Sequence, residues 1–292
     1  MEHQLWKAIV TVLATFDQTR KRRQNDFTDH HIVAISSWAV LHDRPQCWAC
    51  QPKHWPLHLR RRPLPCPGTL SRRLRSAPVV ALLAQLERRV IAPQKPGLFW
   101  MIDGQPLVIG GCSKDRQAGY GRAANSMAKG YKIHALVAPD GAVAAWRLAP
   151  MHVDERVMAR RLLRDADIQG YGVGDANYDS NPLYAVCDQR EGLYLVARRR
   201  KGPGYGLGRH KHSVGRLQSV RLTENPFPAF AEGLLQGRQE IERRFGQLVN
   251  WAGGLACLPA WVRSHRRVHR WVQAKLVLTA LKHQHKITTY AA

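Results

Sequence analysis

In the N-terminal part of the chain, apolar residues recur every three to four positions. Leu5, Ile9, Val12, Leu13 and Phe16 form one such stripe. Ile32, Ile35, Val40 and Leu41 form a second behind Asp29, the expected N-cap. This spacing predicts two amphipathic helices. A short third helix is expected after Gly68, capped by Thr69 or Ser71, and a fourth from Pro78 to about Val90. Residues 43–68 are rich in Pro, Trp and His and read as an irregular connection. Ala92-Pro93-Gln94-Lys95-Pro96-Gly97 then breaks the pattern. A boundary there divides a helical region, 1–95, from a second domain, 96–292.

Beyond the boundary the period changes. Leu98-Phe99-Trp100-Met101-Ile102 is continuously apolar and runs into Asp103-Gly104. A surface strand would alternate, so this reads as a strand buried on both faces that ends on a carboxylate. Pro106 to Gly111 is a second apolar run, and Cys112 to Lys129 is polar and glycine-rich. Ile133–Val137 and Val143–Leu148 flank Asp140-Gly141, the pattern of a β-hairpin. Residues 154–167 read as a helix, Gly170–Gly174 as a strand running into Asp175, Asn181–Arg190 as a helix and Leu193–Ala197 as a strand. Residues 198–235 interrupt this order. They open on Arg198-Arg199-Arg200-Lys201 and a glycine-rich run that lacks the dinucleotide fingerprint, and they read as a basic loop insertion. Arg238–Leu248 is amphipathic and helical. The C-terminus is helical and basic, with Trp261, Val268, Trp271, Val272, Leu276 and Leu278 set among arginines.

Charge narrows the function classes. With 45 Lys and Arg against 21 Asp and Glu, the 292-residue chain carries a net charge of +24. That balance points to a polyanion, most simply nucleic acid. No run approaches the roughly 18 apolar residues of a membrane-spanning helix, and the N-terminus has no signal-peptide pattern. Cytoplasmic, nucleoid-associated work is therefore expected. The six cysteines are mostly scattered, as in a reducing compartment. Cys47-Trp48-Ala49-Cys50, with His54, His58 and Cys66 downstream, has spacing that suits zinc. The surrounding prolines and tryptophans favour ordinary packing.

The acids carry the candidate chemistry. A buried, unpaired carboxylate is so costly that it must pair, coordinate a cation or protonate. Asp103 and Asp175 both follow strands, and the 238–248 helix offers Glu240 and Glu242. Two residues apart on a helix, these glutamates face different ways. Glu242 lies beside the stripe of Ile241, Phe245 and Leu248, so it is preferred. Asp179, four positions past Asp175, is the weaker rival on that loop. Three hard oxygen donors at one point suit Mg2+ or Mn2+.

The strand into Asp103, Gly130-Tyr131-Lys132-Ile133-His134, Asp175-Ala176-Asn177-Tyr178-Asp179 and Ile241-Glu242-Arg243-Arg244-Phe245-Gly246, taken in order, resemble DDE transposases of bacterial insertion sequences, in the IS4/IS5-like group. The resemblance covers about 98–283. It implies an α/β, ribonuclease H-like mixed sheet flanked by helices, preceded by a helical DNA-binding region. It also implies a catalytic and metal-binding triad of Asp103, Asp175 and Glu242, with two Mg2+ or Mn2+ ions. The implied reaction is cleavage at insertion-sequence ends followed by strand transfer into target DNA. The implied partners are double-stranded DNA, as terminal repeats and target, and a second copy of the chain. The family's Tyr-x2-Arg-x3-Glu-x6-Lys signature matches at Arg238 and Glu242. It departs at Leu235 and Val249, leaving Arg238, Lys129 and Lys132 as the cations available for the missing lysine's role.

The stretch from Gly68 to Ser76, followed by the Pro78 helix, resembles a helix-turn-helix, with Arg72, Arg73 and Arg75 expected to point outward at DNA. Arg198, Arg199 and Arg200, and Arg20 to Arg23, are expected at phosphates. Two competing readings remain at this stage. One is a ribonuclease H-like nuclease without strand transfer. The other is an inactive or regulatory DNA-binding protein derived from a transposase.

Overall fold

A computed structural model describes residues 2–17, 27–60, 63–92, 97–110, 113–123, 126–202, 206–208, 211–224, 229–230, 232–236 and 258–290, with side chains up to 284. The described residues form two compact units, one of those up to 91 with those from 259 onward, the other of those between 92 and 236 with Leu258.

The first unit is helical. It contains α1 (Glu2–Ala14), α2 (Asp29–Leu41), α3 (Pro67–Arg73), α4 (Ala77–Ile91) and the C-terminal α8 (His265–Tyr290). Thr28, rather than Asp29, caps α2, accepting the His31 N–H at its hydroxyl. The cap of α3 is the Cys66 sulfur, which accepts from the Thr69 N–H, so neither Thr69 nor Ser71 serves.

The Trp-rich connection is packed. Trp38 stacks on Trp55 at 4.8 Å, and Trp6 meets both edge-on. Each indole N–H donates to a carbonyl, of Ala34, His54 and Ala49 for Trp6, Trp38 and Trp55. Buried tryptophans need such partners for their one polar atom.

α8 packs with the N-terminal helices, and its polar residues are satisfied there. Lys275, almost fully buried, pairs with Asp43; Gln273 donates to Glu87; Arg270 Nη1 donates to the Leu74 carbonyl at 2.8 Å. Those ties span most of the chain's length, which local periodicity does not register.

The second unit is a six-stranded sheet with β1 (Phe99–Val108), β2 (Gly119–Ala123), β3 (Ser126–Val137), β4 (Val143–Pro150), β5 (Gly170–Gly174) and β6 (Leu193–Ala197). The order β4-β3-β1-β5-β6, with β2 on the outer half of β3, is that of a ribonuclease H-like sheet. β1 to β4 are antiparallel, whereas β1, β5 and β6 run parallel. Their crossovers are α5 (Glu155–Asp165) and α6 (Asn181–Asp188).

The pleat sends alternate side chains to opposite faces. Trp100, Ile102 and Leu136 join Leu162, Leu163, Leu183 and Tyr184 in the core beneath α5 and α6. On the other face Val173 and Val196 pack with Phe99, Tyr171, Leu222 and the helical turns at 232–236, through Leu234 and Leu235.

Three expectations for this unit change. β1 does not end on Asp103 but continues to Val108, absorbing the run predicted as separate. Its outer half pairs with β3 but not with β5, which is why Pro106, with no N–H to give, is tolerated there. The polar stretch after Cys112 contains β2. Residues 198–235, expected as a loop, contain α7 (Val214–Glu224), which packs on β6.

Candidate functional site

The site begins with strand register. β1 and β5 pair in parallel as Phe99 with Tyr171, Trp100 with Gly172 and Met101 with Val173. Asp103 and Asp175 each lie two residues beyond the last of these pairs. Asp103 shares the parity of Phe99, and Asp175, on extended backbone at φ −74° and ψ 176°, shares that of Val173. Both carboxylates therefore belong to the sheet face that carries Leu234. Both are half-buried.

The local geometry orients each acid. Asp103 Oδ1 accepts the Gly104 N–H at 2.7 Å. Asp175 caps the 3-10 turn Ala176–Tyr178, its Oδ1 accepting the Asn177 N–H at 2.8 Å. Gly174 makes this turn possible: a Cβ there would lie 2.8 Å from the Tyr178 ring, which fills the space beneath the strand end.

Asp179 has a different fate. It is buried, and Arg216 of α7 grips it with two bonds, Nε to Oδ1 at 2.7 Å and Nη2 to Oδ2 at 2.8 Å. The Arg200 N–H adds a third at 3.0 Å. Burial pushes the carboxyl up, but Arg216 and the Arg200 amide outweigh it and hold it below the usual range. A saturated carboxylate of this kind is a strut, not a ligand.

Several cations expected at DNA are engaged within the protein. Arg73 donates to Asp29 at 2.7 Å and to the Phe27 carbonyl, so it faces inward, against the expectation. Lys132 is buried and pairs with Glu155. Lys129 donates to the Ser113 carbonyl at 3.0 Å, and Arg199 to Glu224 at 2.6 Å. Arg72, Arg75 and Arg198 are exposed. Glu242, with its rival Glu240, and Arg238 and Arg20 to Arg23, lie outside the described residues.

His134 sits opposite Gly104 in the β1–β3 register and is 1% exposed. Its two ring nitrogens have no hydrogen-bond partner among the described residues. Burial drives its pKa down to about 4; Glu155 pulls it upward and Lys132 downward. Sequence reasoning passed over Glu155, which links Lys132 to Asn177, Oε2 accepting from Asn177 Nδ2 at 3.0 Å. Its only sequence signal was an acid in the first turn of a helix.

Carboxylates are hard oxygen donors of the kind a divalent cation takes; Asp103 lies on β1 and Asp175 follows the neighbouring parallel strand β5, and both are half-buried. Among the described residues no group of three or more His, Cys, Asp or Glu is placed to hold a metal. In the cysteine-histidine stretch His54 Nδ1 donates to the Trp48 carbonyl and Cys50 to the Gln46 carbonyl.

The sheet order is ribonuclease H-like, and Asp103 and Asp175 lie where β1 and β5 part. The family model described as "Transposase DDE domain" matches residues 96–281, more than half of the chain. The chain belongs to that family. Neither the curated proteins nor the solved structures compared with it give a match. No helix among the described residues is long and apolar enough to cross a membrane.

Proposed function

We propose that the chain is an active transposase that cuts DNA at the ends of an insertion sequence and joins the freed ends to target DNA. Asp103, Asp175 and Glu242 are its acidic triad. The observation that carries this reading is that Asp103 and Asp175, in the segment matched by the family, each follow the last β1–β5 pair by two residues and share its parity. Leu234, eight positions before Glu242, packs on Val173 of that same face, which supports Glu242 as the third member.

These three carboxylates would hold Mg2+ or Mn2+, and two such ions supply Lewis-acid stabilisation of attacking and leaving oxygens in an in-line displacement. The chain's own part is to fix the donors. The Gly104 and Asn177 amides each engage one carboxylate oxygen, and the Tyr178 packing sets the turn. Water would displace the 3′-oxygen at the element's end, and the resulting 3′-hydroxyl would then displace the 3′-oxygen of a target phosphodiester. No covalent bond to the protein is needed. The net charge of +24 favours phosphate contact along the DNA, with exposed Arg72, Arg75 and Arg198 as first candidates. The helical region through residue 95 is the proposed reader of terminal repeats, the region after it the catalytic domain, and a pair of chains the unit that holds two ends. The proposed place of action is the bacterial nucleoid.

The test is Mn2+-dependent cleavage of labelled element-end DNA by wild type, Glu242→Ala and Glu240→Ala. Loss of cutting in Glu242→Ala alone, with DNA binding retained, is expected. Retained cutting in Glu242→Ala would overturn the triad. Specific binding without cutting by wild type would favour a regulatory protein.

A further inference from the structure

The turn after Asp175 is gripped on its Asn177 side by a charged pair that the proposed chemistry does not use. Glu155 is the first residue of α5, where a carboxylate is favoured by the helix dipole. Its two oxygens do different things. Oε1 meets the ammonium of Lys132 on β3, and Oε2 accepts from the Asn177 side chain at 3.0 Å. The Asn177 backbone N–H in turn donates to Asp175 Oδ1 at 2.8 Å. Lys132 is nearly buried, so it cannot stand without a counter-charge. Glu155, 22% exposed at its side chain, meets that need and still reaches across to the turn. With both oxygens engaged, Glu155 is poorly placed to serve as a metal ligand itself.

We infer that Glu155, anchored by Lys132, is a positioning residue that sets the Asp175 carboxylate by gripping Asn177. This rests on the reading of Asp175 as a metal-holding acid. An acid is required rather than an amide, because one oxygen must balance a buried ammonium while the other accepts from Asn177. The chain of contacts runs β3, α5, turn, carboxylate, and so ties the fold of the sheet's antiparallel half to the end of β5. Partners of this kind behind a metal ligand typically change metal affinity or activity by about 10- to 100-fold.

The experiment uses the full chain and reads Mn2+ affinity by calorimetry without DNA, beside thermal melting. The variants are Asn177→Ala, Glu155→Gln, their combination and Asp175→Ala. Asn177→Ala keeps the backbone amide and loses only the grip. Glu155→Gln strands Lys132, so Lys132→Met with Glu155→Met covers the case in which that single variant fails to fold. The expected result is Mn2+ affinity weakened about tenfold or more in Asn177→Ala, in Glu155→Gln and in the Met pair. The Asn177→Ala/Glu155→Gln combination should be no worse than the worse single, because both cut one chain of contacts. Affinities within twofold of wild type, with Asp175→Ala unable to bind, would overturn the inference and leave Asp175 standing. Losses that multiply in the combination would overturn the relay through Asn177. Mn2+ binding by Asp175→Ala equal to wild type, or none by wild type, would overturn the reading of Asp175 and the inference with it.

Discussion

Asp175 and Asp179 are four positions apart on one turn, yet they occupy opposite physical regimes. Asp179 is buried, doubly bonded to Arg216 and further held by the Arg200 amide. Asp175 is half-buried and engaged at one oxygen by an amide of its own turn, just past the end of the strand that pairs with β1. A carboxylate whose lone pairs are filled by the protein stabilises a fold. One held in place at a single oxygen and half-buried is, on the proposed reading, the acid that takes the cation. Neither identity nor spacing separates the two; the environment does.

The sharpest way to break that comparison is to neutralise each acid in turn. Asp175→Asn is expected to reduce DNA cleavage by at least ~10³-fold, a loss of about 4 kcal/mol of transition-state stabilisation. Melting should stay near wild type. Asp179 should respond in the reverse sense. Arg216→Met, which leaves that carboxylate buried and unpaired, is expected to lower stability by about 3–5 kcal/mol in a denaturant titration. Arg216→Met combined with Asp179→Leu should recover most of the loss. A stability loss in Asp175→Asn as large as in Arg216→Met would erase the distinction.

A smaller effect concerns acid pH. His134 titrates at about 4 when folded against an ordinary 6.5, because burial disfavours its charged form. The unfolded chain takes up the proton first, so this contribution is complete above about pH 6.5 and is lost as pH falls toward 4, on the order of 3 kcal/mol. Glu155 and Lys132 are the charges facing it, acting in opposite senses. His134→Phe should flatten that part of the stability profile, measured by urea titration across the same range; an unchanged slope would contradict it. The smallest effect is at the surface. Arg199→Ala removes an exposed pair with Glu224 and should cost under about 1 kcal/mol. A larger loss would make the pair part of the same framework as Arg216.

Much of the sheet was legible in the sequence, because parallel strands buried on both faces leave continuous apolar runs. The strands into Asp103 and Asp175 follow from such runs, the 133–148 hairpin from its Asp140-Gly141 turn and the two helices from their spacing of apolar residues. β2 was not legible. Its buried positions are Gly119, Gly121 and Ala123, so the alternation exists without a hydrophobic signal. Gly121 is there because a Cβ would meet the Met151 carbonyl at 2.4 Å. α7 was missed for a related reason: Arg216, which reads as a solvated residue, is buried against Asp179. The same blindness to pairing made Arg73 and Lys132 look like DNA contacts. For the site, the sequence pointed to Asp103 and Asp175 as strand-borne acids. It could not show the pairing of β1 with β5, the saturation of Asp179 or the grip of Glu155, since all three depend on register and on partners distant along the chain.

The central claim is that Asp103 and Asp175 face one bound cation. Fe2+-directed hydroxyl-radical cleavage of the polypeptide tests it most directly, with Fe2+ substituting for Mg2+. The account predicts backbone cuts close to both Asp103 and Asp175, competed away by Mg2+ and lost together in Asp103→Asn or in Asp175→Asn. Cuts at one position only, or cuts that persist in both variants, would contradict it.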